Sequence, residues 1–221
     1  MENSEILKHI DHTLLKPTAG WEDIQKLCEE AIQYKTASVC VPPSYVARIK
    51  EAFRDRLIIC TVIGFPLGYH TTAVKIYEAK KALEDGADEI DMVINLGDVK
   101  NENFEQITGE ISELKKTVGN KTLKVIIETC YLTQNEKIRI CQCVTQGGAD
   151  FIKTSTGFGT SGAVLEDIQL FRTHLGPHVK IKAAGGLKTR EDLVTFINSG
   201  CERIGTSSAV AILTGEEAQS Y

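Results

Sequence analysis

Short apolar runs alternate along this chain with longer segments in which apolar residues recur every three or four positions. The first pattern is typical of strands buried on both faces, and the second of amphipathic helices. The runs predict eight strands, at 6–10 (closed by 11–13), 37–41, 57–63, 89–95, 122–128, 151–153, 179–184 and 203–205. The helical spacing predicts helices between them, at 21–34, 44–53, 72–86, 104–118, 134–146, 164–174 and 190–198.

This alternation predicts an α/β fold with a parallel sheet. Eight strand-helix units of about 27 residues most simply close into a (β/α)8 TIM barrel. A doubly wound open sheet is the alternative, but no GxGxxG motif follows the first strand. Because no linker or low-complexity segment interrupts the pattern, we expect one domain over residues 1–221, with a C-terminal tail at about 214–221.

Composition and charge narrow the function classes. The chain has 221 residues and a net charge of -5 without a basic cluster, which argues against a nucleic-acid surface. No run reaches the length of a membrane span, and the first residues do not resemble a signal peptide, so we expect a cytoplasmic protein that does not bind membranes. The seven cysteines are scattered through apolar stretches without CxxC spacing, which favours reduced core thiols.

A lysine in a short apolar strand is the most informative single position. Lys153 shares a strand face with Phe151 and follows Ile152. Desolvation disfavours the ammonium form, so such a lysine either finds a partner or becomes a neutral amine nucleophile. Lowering a lysine pKa from about 10.4 to about 7 raises the neutral fraction at pH 7 roughly a thousandfold.

Other polar residues also lie at the predicted C-terminal ends of strands, where barrel enzymes carry their catalytic groups. They are Asp11, Cys40, Asp91, Asn95, Glu128 and Lys182. Lys182, on the strand adjacent to that of Lys153, is predicted to be the second cation that disfavours protonation of Lys153. A structural salt-bridge network is the alternative. Lys180 shares the face of Lys182, and a third inward lysine is not expected, so a bend or solvent at the bottom rim must accommodate Lys180.

Glycine-rich segments follow the last three strands. They contain Thr156 and Gly157, then Gly185 and Gly186, and finally Gly205, Ser207 and Ser208. In barrels of this type the last loops often bind phosphate through backbone N–H groups. Ordinary tight turns are the alternative.

The sequence gives little support for a metal or a cysteine nucleophile. His9 and His12 are three residues apart on a strand and therefore on opposite faces, and no HExxH motif is present. Cys40 lacks an obvious histidine and base, which favours a packing thiol. We expect no metal and no cofactor.

Seven segments together resemble deoxyribose-phosphate aldolases. They are Asp11-His-Thr-Leu-Leu-Lys-Pro17, Ala37-Ser-Val-Cys-Val-Pro42, Val62-Ile-Gly-Phe-Pro-Leu-Gly68, Glu89-Ile-Asp-Met-Val-Ile-Asn95, Lys124-Val-Ile-Ile-Glu-Thr129, Phe151-Ile-Lys-Thr-Ser-Thr-Gly157 and Lys182-Ala-Ala-Gly-Gly186. The resemblance runs from about residue 10 to about residue 208.

The resemblance implies a metal-free class I aldolase that reversibly cleaves 2-deoxy-D-ribose 5-phosphate to D-glyceraldehyde 3-phosphate and acetaldehyde. It implies that Lys153 forms the Schiff base, that Lys182 lowers the pKa of Lys153, and that Asp91 is the acid/base acting through water. Gly185, Gly186, Ser207 and Ser208 match phosphate-loop positions, and Asp11 and Cys40 match pocket-lining positions. Barrels of this family commonly pair, which implies a homodimer.

Three departures from the family pattern affect the expected pocket. Phe158 stands where some members carry a phosphate-binding lysine, and Lys188 is a candidate substitute. Tyr69 and His70 are bulky where the family usually has small residues, and Tyr221 matches a C-terminal tyrosine that enters the site in some members. Another Schiff-base barrel, such as a transaldolase or a sugar-bisphosphate aldolase, and a non-catalytic phosphate-binding barrel remain as alternatives.

Overall fold

Eight parallel strands pair in sequence order and close into a barrel in this computed structural model, which describes residues 1–215. The strands are β1 (Ile10–Thr13), β2 (Ser38–Val41), β3 (Ile59–Ile63), β4 (Glu89–Val93), β5 (Thr122–Ile126), β6 (Phe151–Lys153), β7 (Lys180–Ala184) and β8 (Arg203–Thr206). Strand β8 pairs with β1, which closes the barrel. The predicted (β/α)8 TIM barrel is therefore confirmed.

Helices alternate with these strands along the chain. They are α1 (Asn3–Leu7), α2 (Trp21–Tyr34), α3 (Val46–Phe53), α4 (Thr72–Glu84), α5 (Leu96–Lys100), α6 (Phe104–Val118), α7 (Gln134–Gln146), α8 (Leu165–His174), α9 (Arg190–Asn198) and α10 (Ala209–Thr214). Single 3-10 turns at Pro43–Tyr45 and Thr129–Tyr131 follow β2 and β5. Within the described residues, no helix is long and apolar enough to cross a membrane.

The prediction of a first strand at 6–10 is wrong. Ile6 and Leu7 belong to α1, and the strand begins at Ile10 and includes Asp11 through Thr13. The reason lies in the spacing, because a helix can bury the adjacent Ile6 and Leu7 on one side, whereas neighbouring residues of a strand point to opposite faces. Helix α1 lies beside the C-terminal helix α10, where Asn3 Nδ2 donates to Leu213 O at 2.8 Å.

Side-chain caps begin helices α7 and α9. At α7 the Thr133 hydroxyl accepts from Glu136 N at 3.3 Å, and a Glu136 carboxylate oxygen accepts from Thr133 N at 2.6 Å. Thr189 and Asp192 form the same reciprocal pair at α9. These caps satisfy free N–H groups at the first turn and so position the loop that precedes each helix.

The apolar core lies between the barrel and the helices, whereas the inside of the barrel is polar. Outward strand residues such as Val39, Ile90 and Ile152 pack against the helices and are fully buried. The inward face instead carries Asp91 opposite Lys124 and Lys153 opposite Lys182 in the strand register. Barrel interiors are usually filled by branched apolar side chains, so this charged interior needs a chemical explanation.

Candidate active site

A cavity of about 410 Å³ lies at the C-terminal ends of the strands. Its walls include the loops after β6, β7 and β8, together with Thr13 and Leu15 after β1. Among the predicted site residues, those lining it are Lys153, Thr156, Gly157, Gly185, Gly186, Lys188, Gly205, Ser207 and Ser208. Its volume suits a small-molecule ligand, and its position is the one at which barrel enzymes bind their substrates.

Lys153 lies at the boundary between this cavity and the barrel interior. It is the last residue of β6, lines the cavity and is only 3% exposed. Its Nζ donates to Asp91 Oδ2 at 2.8 Å. The amine therefore faces a ligand-sized space on one side and a buried carboxylate on the other, an arrangement that suits a nucleophile shielded from bulk water.

Asp91 is the central anion of the barrel interior and is fully buried. Its Oδ2 accepts from Lys153 and from Lys182 at 2.8 and 2.7 Å, and its Oδ1 accepts from Lys124 at 2.8 Å. The Cys60 thiol also donates to Oδ1 at 3.2 Å. Burial alone would raise the pKa of Asp91, but the ammonium groups of Lys124 and Lys182 hold that pKa well below its ordinary value. Asp91 is therefore a carboxylate at neutral pH.

Lys182 is the buried cation nearest to Lys153 in the strand register. Its Nζ lies 2.7 Å from Asp91 Oδ2 and 2.5 Å from Asp11 Oδ2. Burial would lower the pKa of Lys182, but the Asp11 and Asp91 carboxylates overcome this and raise that pKa above its ordinary value. Gly205 leaves room for the side chain, because a Cβ at this position would lie 3.1 Å from Lys182 Cε. Lys182 therefore stays protonated beside Lys153.

A second group of charges continues the network toward the N-terminal end of the barrel. Lys124 Nζ binds Glu89 Oε2 at 2.6 Å in addition to Asp91. The Arg203 guanidinium donates to both Glu89 carboxylate oxygens, at 3.0 and 3.1 Å, and also to Asp11 Oδ1. The sequence interpretation did not place Lys124, Glu89 and Arg203 at the site. The alternation of side chains along a strand could have indicated Glu89, because residues 89 and 91 share one strand face.

The glycine-rich loops after β7 and β8 line the end of the cavity that lies beyond the C-terminal ends of these strands. Gly185 and Gly186 have φ values of +79° and +80°, a backbone conformation that favours glycine. Gly162 approaches so closely that a Cβ on it would lie 2.2 Å from Gly185 O. Ser207 and Ser208 line the same cavity after β8. The loops therefore bring backbone and hydroxyl groups together at one end of the cavity, where an anion could be bound.

Thr156 shapes the wall of the cavity through Glu128. Its backbone N–H donates to Glu128 Oε1 at 3.1 Å, and its hydroxyl donates to Glu128 Oε2. Phe158 N in turn donates to the Thr156 hydroxyl oxygen at 3.0 Å. Phe158 packs edge-on against Phe65, with ring centroids 5.4 Å apart. Both the backbone N–H and the hydroxyl of Thr156 are thus engaged by Glu128 in the wall of the cavity.

Cys40 and Cys60 occupy neighbouring strands beneath this wall. The neighbouring Cys60 lowers the pKa of the Cys40 thiol, whereas burial raises the pKa of Cys60. Donor atoms of Cys40, Cys60 and Asp91 lie within 4.8 Å of one another. However, Lys124 Nζ contacts Cys60 Sγ at 3.2 Å and Asp91 at 2.8 Å, so this group already holds a cation of the protein itself.

Comparison with known proteins identifies the family to which this site belongs. A family model described as DeoC/LacD family aldolase matches residues 6–213. The chain belongs to this aldolase family. It is 64% identical to a deoxyribose-phosphate aldolase of Clostridium botulinum (strain Alaska E43 / Type E3) over the full length of both chains. It is 58% identical to a deoxyribose-phosphate aldolase of Clostridioides difficile (strain 630), over 98% of this chain and 99% of that protein.

A solved structure agrees with this assignment. The deoxyribose phosphate aldolase from Aeropyrum pernix, described as tetrameric, superposes with a TM-score of 0.87 at 31% identity. The match covers 97% of this chain and 92% of that one. The resemblance inferred from the seven sequence segments is therefore confirmed at the level of the family.

Two predicted site residues of this DeoC/LacD aldolase lie deeper than expected. Asp11 and Cys40 were expected to line the pocket, but both are fully buried and neither belongs to the cavity lining. Asp11 accepts from Ser38 Oγ at 2.6 Å and binds Lys182, and Cys40 packs with Leu15. Their side chains point into the barrel below the cavity, so any influence on a ligand passes through other residues.

Several further expectations concern the edges of the aldolase site. Lys180 is exposed at the N-terminal rim with its Nζ 5.7 Å from the Phe151 ring centre, so solvent accommodates it as expected. A third inward lysine does exist, contrary to expectation, and it is Lys124. Tyr69 is 65% exposed and does not line the cavity. Tyr221 lies outside the described residues.

Proposed function

We propose that this chain is a class I deoxyribose-phosphate aldolase, with Lys153 as the Schiff-base lysine. The observation that carries the proposal is the position of Lys153 Nζ, at the boundary of the cavity and on the same carboxylate oxygen as Lys182. The Lys182 ammonium on that oxygen disfavours a second ammonium beside it, and so favours the neutral amine at Lys153. The names of the family's relatives support 2-deoxy-D-ribose 5-phosphate as the substrate.

The chemistry begins with attack of the neutral Lys153 amine on the C1 aldehyde of the sugar. Loss of water from the carbinolamine gives an iminium ion, which accepts the electron pair released when the bond between C2 and C3 breaks. The products are D-glyceraldehyde 3-phosphate and an enamine that, after protonation and hydrolysis, releases acetaldehyde. The iminium accepts this pair far better than a free aldehyde, which is why the reaction needs an amine.

Proton movement is assigned to Asp91 and Lys182. The C3 hydroxyl must lose a proton during cleavage, and the carbinolamine oxygen must gain one before it leaves as water. Asp91 is held as a carboxylate and accepts protons, while the ammonium of Lys182 on the same oxygen supplies one. Because Asp91 is fully buried, we propose that a water molecule carries protons between this pair and the substrate.

The phosphate is assigned to the glycine-rich end of the cavity. Gly185, Gly186, Ser207 and Ser208 offer backbone N–H and hydroxyl groups there, and Lys188 adds a positive charge at the rim. Binding the phosphate at this end keeps C1 of the sugar next to Lys153, so that the aldehyde is oriented for attack by the amine. The proposed ligand thus spans the cavity from Lys153 to the loops after β7 and β8.

Reductive trapping tests the proposal. The protein is incubated with a near-stoichiometric amount of 2-deoxyribose 5-phosphate and cyanoborohydride, and the adduct is located by peptide mass spectrometry. We expect one adduct, on Lys153, and none in Lys153→Ala. Cleavage activity without a trapped lysine would contradict the class I mechanism, and an adduct without cleavage would favour another Schiff-base enzyme.

The assembly is a separate proposal. We propose a homodimer, as the family resemblance implies, although the A. pernix relative is described as tetrameric. Sedimentation velocity across a range of protein concentrations distinguishes the two.

A further inference from the structure

The buried charges of the barrel form a closed ring in which carboxylates and cations alternate. Each neighbouring pair is an ion pair. In order around the ring, which we call the charge ring, the members are Asp91, Lys124, Glu89, Arg203, Asp11 and Lys182. Strands β1, β4, β5, β7 and β8 contribute these residues, so the ring spans the inside of the barrel.

The charge ring is neutral by itself. Its three carboxylates are balanced by two ammonium groups and one guanidinium. The surrounding carboxylates raise the pKa values of Lys124 and Lys182 despite burial, and Arg203 is charged at all accessible pH values. Lys153 stands outside the ring and joins it only at Asp91 Oδ2. A protonated Lys153 would therefore be a fourth buried cation against three anions.

We propose that the whole charge ring, including its distant Glu89–Arg203 pair, keeps Lys153 neutral. Glu89 and Arg203 do not line the cavity and so act as positioning residues. Their contribution is electrostatic. With the ring intact, loss of the Lys153 proton brings the buried cluster to zero net charge, which the low-dielectric interior favours. The inference rests on the proposed Schiff-base role of Lys153.

Other titratable groups face the ring and must be accounted for. Cys60 donates to Asp91, and burial raises the pKa of this thiol, which keeps it neutral. Cys40 is the thiol whose pKa is lowered by its neighbour. Lys180 is exposed at the rim beside the Phe151 ring, where water screens its charge. Of these three groups, only Cys40 could thus add a negative charge to the balance, and the buried Glu128 carboxylate after β5 is engaged by Thr156.

Two single substitutions test the proposal with opposite signs. Arg203→Gln removes a cation, which favours protonated Lys153, so the acidic limb of the kcat/KM profile should move up by about one pH unit. Glu89→Gln removes an anion, so the same limb should move down by a similar amount. The double variant restores the balance, and its acidic limb should return close to that of the unmodified protein.

The pH dependence of trapping gives a second readout. The rate at which Lys153 is trapped by 2-deoxyribose 5-phosphate and cyanoborohydride should show the same opposite shifts. A purely structural role for the Glu89–Arg203 pair predicts lower activity in both single variants, with shifts in the same direction or none, and that outcome would overturn the proposal. Repeating the series with Cys40→Ser tests the thiol, and disappearance of the opposite shifts in that background would also overturn it.

The outcomes separate this inference from the proposed function. If the unmodified protein does not form an adduct on Lys153, the proposed function fails first. If it forms the adduct but the two single variants do not shift in opposite directions, only the charge-ring inference fails. Should either single variant not fold, the other single variant and the double variant still give the sign of the shift, and identical profiles in these two would reject the inference.

Discussion

Replacing Lys182 by methionine removes one of the two ammonium groups on Asp91 Oδ2. Since Lys153 Nζ and Lys182 Nζ lie 2.8 and 2.7 Å from this one oxygen, the two nitrogens are at most about 5.5 Å apart. At an effective dielectric constant of about 20, two unit charges at this separation repel by about 3 kcal/mol, which corresponds to roughly two pH units. Methionine nearly preserves the shape of the side chain but carries no charge.

The direction of the change follows from the charge that is lost. Without Lys182 the protonated form of Lys153 is less disfavoured, so a higher pH is needed to obtain the nucleophile. We expect the acidic limb of kcat/KM to move up by about two pH units, and activity at pH 7 to fall up to about a hundredfold through this effect alone. The loss of Lys182 also leaves Asp11 and Asp91 less neutralised, which acts in the same direction.

The assay is cleavage of 2-deoxyribose 5-phosphate, followed from pH 5 to 10 and paired with thermal unfolding. Lys180→Met is a matched control, because Lys180 lies two residues earlier on the same strand face but is exposed. That variant should keep the original profile. If Lys182→Met retains its fold and loses activity equally at every pH, then Lys182 does not act through the protonation of Lys153, and the reasoning is refuted.

Three further changes probe the rest of the molecule. Replacing Ser207 and Ser208 together by alanine should raise KM for 2-deoxyribose 5-phosphate at least tenfold more than KM for 2-deoxyribose; equal effects would remove the phosphate assignment. Lys75→Met breaks a fully buried ion pair and should lower the free energy of unfolding by about 3–5 kcal/mol in urea titrations, whereas Lys81→Met at an exposed pair should change it by under about 1 kcal/mol. Because the pKa of Asp91 is depressed in the folded state, its contribution to stability is present above about pH 4 and is lost as the pH falls further. Melting temperatures should therefore drop below pH 4, and less steeply in Asp91→Asn.

Much of the site could be predicted from the sequence, because in a barrel the position of a residue along its strand determines where its side chain lies. Strand parity places Lys153 and Lys182 inside, and the parallel register makes them neighbours. The glycines and serines after the last two strands likewise had to meet at one face. Strand alternation had thus already suggested where these residues lie, and the family resemblance then implied their chemical roles.

The charge ring could not be predicted in the same way. Lys124 is the middle residue of β5, between Leu123 and Val125, whereas Glu89 and Arg203 are the first residues of β4 and β8. Which of these side chains meet depends on the stagger between strands, and sequence period alone does not give that stagger. The burial of Asp11 and Cys40 was missed for the same reason, since their positions along the strands do not show whether their side chains reach the cavity.

The charge ring also divides the barrel into two electrically unlike halves. All of its carboxylates come from β1 and β4, while its cations, and Lys153, come from β5 to β8. A chain cut after β4 would thus produce one fragment that holds only the carboxylates of the charge ring and another that holds only its cations. Neither fragment can neutralise its own interior, so we expect both to be unstable alone and to associate with each other when mixed. The charges proposed to set the reactivity of Lys153 would then also hold the two halves of the barrel together.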